Sequence, residues 1–401
     1  MSRKSFIIAL SLSAIFAIMP SMNNAFAAEK TTKNTSSSVV EESLGEASYR
    51  TIAYVTVPAT EKWRWIGSDG SDGKDPVSKV DTKYVSHINF AFGMIQAYQF
   101  DKNRPECPLK EGRIVSKEAY KNPKDGQYHY KAVLNGWVGE IGTVVDGRKY
   151  LKALVELKKQ NPELKVLLSI GGWDSDGFCY MAKTKESRHE FIQSCIDLVK
   201  EYKLDGIDLD WEHPTNGGWG EIASCDNCVH DAKALLKEFR VAFDHTFKEE
   251  HKLLTIAAGC SQPWVDQETL KNLDYMNVMC YDYAPGSGGD MAGLEQAQKY
   301  MDNHAKMVGN TKEAKRKINL GIPFYNEGGF FLVPYYKGWS GHIDASPEII
   351  KEKMNWVKEN GYGGAFYWAY SMDVFEQDVK DPQDPSIKIL QRTVYETLNG
   401  K

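Results

Sequence analysis

The chain of 401 residues is 42% hydrophobic, 26% charged and 12% aromatic, with 33 Gly and 15 Pro, a globular balance that excludes fibrous and disordered classes. Its 49 basic and 54 acidic side chains leave a net charge of -5, and no Lys/Arg block stands ready to neutralise a run of phosphates, so nucleic acid is not an expected partner. Ten Trp and 21 Tyr supply large rings suited either to a core or to flat platforms for an uncharged ligand.

Arg3 and Lys4 precede an apolar run from Phe6 to Met19, followed by Pro20 and the small-x-small triplet Ala25-Phe26-Ala27. These are the three parts of a secretory signal peptide. The run has 14 residues, short of the roughly 20 that span a bilayer. Residues 1–27 are therefore expected to be cleaved, giving a secreted, extracellular chain with no membrane contact after cleavage. Loss of two positive charges and no acids takes the net charge from -5 to -7. Residues 28–48 carry Thr, Ser, Lys and Glu without an aromatic side chain and read as a flexible linker. Residues 49–401 are expected to form one catalytic domain, acting as a monomer.

From Arg50 onward, β-rich runs alternate with amphipathic helical stretches. The runs are Thr51 to Val57, Val85 to Phe92, Lys165 to Ile170, Gly206 to Asp210, Leu254 to Gly259, Met276 to Asp282, Ile318 to Tyr325 and Gly364 to Tyr370. Helical candidates between them include Tyr150 to Lys159, Ser187 to Tyr202, His230 to Phe247 and Pro347 to Asn360. Eight βα units predict an α/β fold, the closed (β/α)8 TIM barrel, with chemistry at the C-terminal ends of the strands. The stretch from Gly93 to Tyr150, long and polar and containing Trp137, is expected to be a loop that walls a cleft. The stretch from Asn326 to Tyr362 has 37 residues and includes a helix, which leaves little room for a large inserted domain.

The segment Asp205-Gly206-Ile207-Asp208-Leu209-Asp210-Trp211-Glu212 carries the most chemistry. Side chains alternate in a strand, so Asp208, Asp210 and Glu212 share one side while Ile207, Leu209 and Trp211 face the helices. Same-side carboxyls so placed cannot all ionise easily, so at least one pKa should rise and supply an acid at neutral pH. A solvated face would not alternate with Ile, Leu and Trp, and a hard-cation site draws its ligands from a turning loop. Glu212, last in the run, is best placed to reach a substrate.

Seven cysteines in an exported chain point to some disulfides and leave at least one thiol unpaired or intermolecular. Cys225-Asp226-Asn227-Cys228 with His230 is half of a possible zinc site, but the partner half is missing and a loop disulfide is the preferred reading. No metal and no cofactor are expected.

The acidic segment resembles the DGxDxDxE signature of family-18 glycoside hydrolases, the chitinases and their relatives. Ser169-Ile170-Gly171-Gly172 resembles the SxGG motif of strand three, Met279-Cys280-Tyr281-Asp282 the MxYD motif of strand six, and Trp368 the platform of strand eight, all in the family's order. The resemblance implies retaining, substrate-assisted hydrolysis of β-1,4-linked N-acetylglucosamine, as in chitin and its oligosaccharides. Glu212 would be the general acid/base, with Asp210 orienting the substrate acetamide, Asp208 sharing a proton with Asp210, and Tyr281 bonding the same acetamide. Trp368 would form the floor, with Asp282, Met279, Trp173, Trp137, Trp264 and Tyr325 as further substrate contacts. Trp63, Trp65, Trp219 and Trp339 are additional candidate platforms, whereas Trp211 and Trp356 read as core. His213 follows the acid where the family commonly has Tyr. The same acids would serve an endo-β-N-acetylglucosaminidase acting on N-glycans, and a lectin on this barrel would lack the acid. A metal-dependent hydrolase ranks last, since the nine His form no cluster with ligand spacing.

Overall fold

The computed structural model describes residues 48–56, 80–99, 128–138, 143–172, 177–215, 227–282, 293–328, 331–334, 345–373 and 389–400. Among them the chain runs β1 (Arg50–Thr56), β2 (His87–Gln99), β3 (Tyr128–Val133), β4 (Asn135–Val138), β5 (Thr143–Asp146), α1 (Arg148–Glu156) and β6 (Lys165–Gly171). It continues with α2 (Phe178–Met181), α3 (Lys185–Tyr202), β7 (Gly206–Asp210), α4 (Cys228–Thr246), β8 (Leu253–Gly259), α5 (Gln267–Leu270) and β9 (Tyr275–Met279). Then come α6 (Leu294–Met307), α7 (Lys312–Arg316), β10 (Ile318–Pro323), β11 (Tyr325–Gly328), β12 (Phe331–Pro334), α8 (Pro347–Glu359), β13 (Gly364–Trp368) and α9 (Ile389–Asn399).

Eight of these strands, β1, β2, β6, β7, β8, β9, β10 and β13, are parallel and follow one another in chain order. β1 pairs with both β2 and β13, which closes the ring into a (β/α)8 barrel. Each of the eight runs expected from the sequence overlaps one barrel strand. The apolar residues that gave the helices their period are the ones buried against the ring. On α3 they are Phe191, Cys195 and Val199, at 0%, 0% and 1% exposure. Burying a large apolar side chain contributes about 1.5–3 kcal/mol, far more than intrinsic helix propensity at the same position. α3 also starts on a reciprocal cap, in which the Thr184 hydroxyl accepts from Ser187 N–H and Ser187 reaches back to Thr184.

The expectation of a plain loop between Gly93 and Tyr150 needs correction. β2 continues past the barrel rim, where Met94 to Gln99 pair antiparallel with β3. β4 then pairs with β5, so Trp137 lies in a strand. A half-buried hairpin alternates polar with apolar residues, and the alternation of Tyr128-His129-Tyr130-Lys131 was a strand signal that the polarity of the surrounding stretch obscured. A second hairpin, β11 with β12, occupies the start of the stretch after Tyr325.

Asp205 belongs to the foundation. Both of its carboxylate oxygens accept from Lys158 Nζ at 2.7 Å, and one also takes Val166 N–H at 2.7 Å, which ties the start of β7 to that of β6. Cys228, at the start of α4, is disulfide-bonded.

His304 on α6 is 1% exposed and packs its Nε2 against two carbonyls, Gly259 O at 3.1 Å and Cys260 O at 3.2 Å, so that nitrogen carries the proton. Burial holds its pKa down at about 4, below the ordinary 6.5. Between these values the unfolded chain binds a proton that the native site refuses, so stability is intact above pH 6.5 and is lost as pH falls toward 4. Denaturant unfolding followed against pH should show that loss. His304→Gln, which keeps a donor for the carbonyls, should reduce it by about 3 kcal/mol.

Candidate active site

The ends of the barrel strands converge on β7. Its two-residue period sends Leu209 outward, where it joins Trp211 against Leu235 and Leu236 of α4. Asp208 and Asp210 face inward at 0% and 4% exposure. Asp208 sits in register with Ser169 on β6 and Thr255 on β8. Both neighbours carry hydroxyls, which donate to Asp208 Oδ2 at 2.7 Å and Oδ1 at 2.5 Å. Tyr54 Oη, from β1, adds a third donor to Oδ2 at 2.8 Å. Burial pushes the Asp208 pKa up, opposed by these hydroxyls and by Asn89.

Asp210 is in the opposite situation. Its Oδ1 is buried and accepts no hydrogen bond among the described residues. Burial first, then the charges of Glu212 and Asp208, push its pKa well above the usual carboxylate range. The donors around Asp208 favour the ionised form, while the surroundings of Asp210 favour the protonated one. No hydrogen bond joins the two directly.

Glu212 lies just beyond the strand end, its side chain 12% exposed and Oε2 3.5 Å from His213 Nε2. Burial lowers the His213 pKa to about 4, so the ring beside the acid is neutral at neutral pH. Tyr281 follows β9. Burial, then Asp210, Glu212 and Asp282, raise its pKa well above the ordinary value and keep its hydroxyl a donor. Its ring stands 6.1 Å from Phe366 and 6.4 Å from Tyr325. Trp368, at the end of β13, is partly exposed and stacks on Phe92 at 5.5 Å and 19°, with its edge toward Tyr54 at 6.0 Å. These rings build a floor beside the carboxyls.

Other candidates have different roles. Tyr325 is 2% exposed and donates to both oxygens of Asp282, at 2.9 and 3.0 Å, which makes it a support for Asp282. Asp282 itself is exposed and holds a left-handed backbone, φ 56. Met279, 9% exposed, closes the barrel interior with Ala257, Tyr275 and Phe366. Trp264 is a correction. It is 8% exposed and packed with Leu209, Trp211, Leu235 and Leu236, so its ring is core between β7 and α4 rather than a platform. Trp63, Trp65, Trp173, Trp219, Trp339 and the Trp137 side chain lie outside the described residues. Among the described residues no group of three or more His, Cys, Asp or Glu is arranged to hold a metal ion.

Sequence reasoning missed Tyr54, Asn89, Thr255, Asn277 and Asn319. Each interrupts an apolar strand at a position that points inward, and a polar residue there has to find a partner. That interruption was the available signal.

The glycines at the end of β6 have a steric purpose. Gly171 and Gly172 take φ 124 and 92, and Gly172 N–H donates to Asp210 O at 2.9 Å. A Cβ on Gly171 would overlap that carbonyl.

A family profile for glycosyl hydrolases family 18 matches residues 53–329. The chain belongs to that family. Its family 18 relatives include Chitinase 1 of Aphanocladium album, 28% identical over 72% of this chain and 75% of that one. Chitinase A1 of Niallia circulans is 31% identical over 73% of this chain, but the match spans only 47% of that protein's length. Among solved structures, the family 18 barrel superposes on chitinase ChiA74 from Bacillus thuringiensis with a TM-score of 0.61 at 20% identity, covering 88% of this chain and 70% of that one. It also superposes on human YKL-39, a pseudo-chitinase with retained chitooligosaccharide binding, with a TM-score of 0.60 at 18% identity, covering 88% and 100%. At such identities the fold is shared, and residues at the site must decide the chemistry.

Gly171→Ala should destabilise this family 18 barrel by about 3 kcal/mol, since the new methyl meets both a left-handed φ and the Asp210 carbonyl. Thermal unfolding reads that loss; an unchanged midpoint would mean that the loop can move off Asp210.

Proposed function

We propose that this family 18 protein is a secreted, retaining chitinase that hydrolyses β-1,4 links of N-acetylglucosamine polymers. One observation carries the reading: a carboxyl, Glu212, stands at the mouth of the barrel directly beyond Asp210, which is buried and biased toward its protonated form. A binding-only protein on this barrel needs no such group.

Each residue then has a task set by its surroundings. Glu212 protonates the glycosidic oxygen as the bond to the leaving sugar breaks. The acetamido oxygen of the sugar on the non-reducing side attacks its own anomeric carbon, so no enzyme nucleophile is needed. Asp210 accepts the acetamide N–H through its unprotonated oxygen and orients the group, while the Glu212 carboxylate left by proton donation offsets the positive charge of the oxazolinium ion. Tyr281, kept protonated, donates to the acetamide oxygen and aims it. Trp368 lies under the apolar face of the ring. Water, activated by Glu212 now acting as base, opens the ion from the same side as the departed group, and the anomer is retained. An attacking group that is already in place removes much of the entropic cost of a bimolecular step.

Export from the cell belongs to the same reading and rests on residues 1–27. Polymer and N-glycan substrates share the acetamide chemistry, so the deciding experiment offers both.

Incubation with chitin oligosaccharides and, separately, a high-mannose glycoprotein should release products from the former, with the β-anomer formed first by proton NMR. An initial α-anomer, or equal digestion of fully deacetylated chitosan, would overturn substrate assistance. Glu212→Gln should keep oligosaccharide binding while turnover falls about 100- to 10,000-fold.

A further inference from the structure

Four hydrogen bonds cross the barrel interior in one direction. Arg50 Nε donates to Asn319 Oδ1 at 3.0 Å, and Asn319 Nδ2 donates to Asn277 Oδ1 at 2.9 Å. Asn277 Nδ2 donates to Tyr54 Oη at 3.3 Å, and Tyr54 Oη donates to Asp208 Oδ2 at 2.8 Å. A guanidinium has only donors, so Asn319 must turn its oxygen to Arg50 and its nitrogen onward, and the same choice then passes to Asn277 and Tyr54. The chain therefore has a fixed polarity, with a cation at its origin and an acceptor carboxyl at its end.

We propose that Arg50, through Asn319, Asn277 and Tyr54, is a remote positioning residue that keeps Asp208 ionised and so confines the proton of the acid cluster to Asp210 and Glu212. The proposal rests on the reading of those three carboxyls as the catalytic cluster.

The chain lies in a dry interior. Asn319, Asn277 and Asp208 are each 0% exposed and Tyr54 is 1% exposed. In such surroundings aligned hydrogen bonds polarise one another, and a charge at one end is felt at the other. Arg50 is held for this purpose. Its Nη2 donates to Arg316 O, and the guanidinium lies 4.8 Å over the Tyr275 ring. A Cβ at Gly363 would overlap Nη2, so that glycine makes its room. Burial lowers the Arg50 pKa to about 10, which leaves it charged at neutral pH. Arg50 also faces Asp274, Arg316 and His87, whose pKa is lowered to about 3 by burial and which is neutral in the working range. Asp208 faces Asp210 on its own strand, with Glu212 beyond, and Tyr54, Asn89, Ser169 and Thr255 from β1, β2, β6 and β8. Without the chain, the two flanking hydroxyls and Asn89 would be left to oppose the burial of that anion.

Removing the Asn277 donor to Tyr54 Oη weakens the bond that Tyr54 gives the Asp208 anion and so raises the pKa of that acid, and the limb of the pH profile governed by protonation of Asp208 must move to higher pH. The experiment follows kcat/KM on a chitin oligosaccharide against pH for wild type, Asn277→Leu and Asn277→Asp, with thermal unfolding alongside. The acidic limb should rise by about one pH unit in Asn277→Leu. It should rise further in Asn277→Asp, which places an acid beside Tyr54, while the alkaline limb set by Glu212 shifts less. A merely structural role would lower the melting point or kcat and leave the acidic limb where it was, and that outcome overturns the proposal. A second measurement needs no stable variant at position 277 and no turnover. In wild type carrying 13C-labelled Asp carboxyls, with Asp208 assigned through Asp208→Asn, Asp208 should be ionised at a pH where Asp210 is still protonated. The reverse order overturns the proposal. A wild type that cleaves no N-acetylglucosamine polymer would instead sink the enzymatic reading, and the carbon titration would still decide the order of the two acids.

Discussion

Like charges in a dry place govern this molecule. The pleat of β7 sets Asp208 and Asp210 on one inner face of a closed barrel, with Glu212 at the rim beyond them, and in a low dielectric three neighbouring carboxyls cannot all be anions. What distinguishes them is the supply of donors. Asp208 has Ser169, Thr255 and Tyr54 on its oxygens, whereas Asp210 Oδ1 has no partner among the described residues. Burial raises both acids, but the donors on Asp208 oppose it there, so Asp210 is pushed further toward the neutral form than its neighbour. Burial, together with the neighbouring carboxyls, keeps Tyr281 protonated, so the same dry surroundings assign roles to several side chains at once.

The barrel is what delivers those donors. Ser169 and Thr255 reach Asp208 because β6 and β8 flank β7 in matching register, and Tyr54 reaches it only because closure brings β1 across the interior. Helix packing outside the ring supports this geometry from behind. Leu209 and Trp211 anchor β7 to α4 on the face opposite the acids, so the alternation that aims the carboxyls inward is also the alternation that ties the strand down. The glycine pair at the end of β6 passes close over Asp210 and contributes backbone clearance rather than chemistry.

The solved structures that share this fold include both a chitinase and a pseudo-chitinase, so the architecture alone does not separate catalysis from binding. On the proposed reading, the separation lies in one carboxyl at position 212 and in the protonation state of what stands behind it. His213, neutral beside that carboxyl, adds no charge to a crowded site at neutral pH.

Local pattern determined a good deal by itself. Hydrophobic period identified all eight barrel strands, and alternation within Asp208 to Glu212 identified the acids and the side they face, because both depend on neighbours two to four residues away. It could not identify what lies across the ring. Trp264 reads equally well as platform or core until α4 is packed against it, and the alternation in β3 marks a strand without saying that β2 is its partner. Isolated polar residues such as Asn277 and Asn319 look like blemishes in apolar strands. Only closure and strand register, which join residues as far apart as Tyr54 and Asn277, turn them into a hydrogen-bonded chain that ends on Asp208.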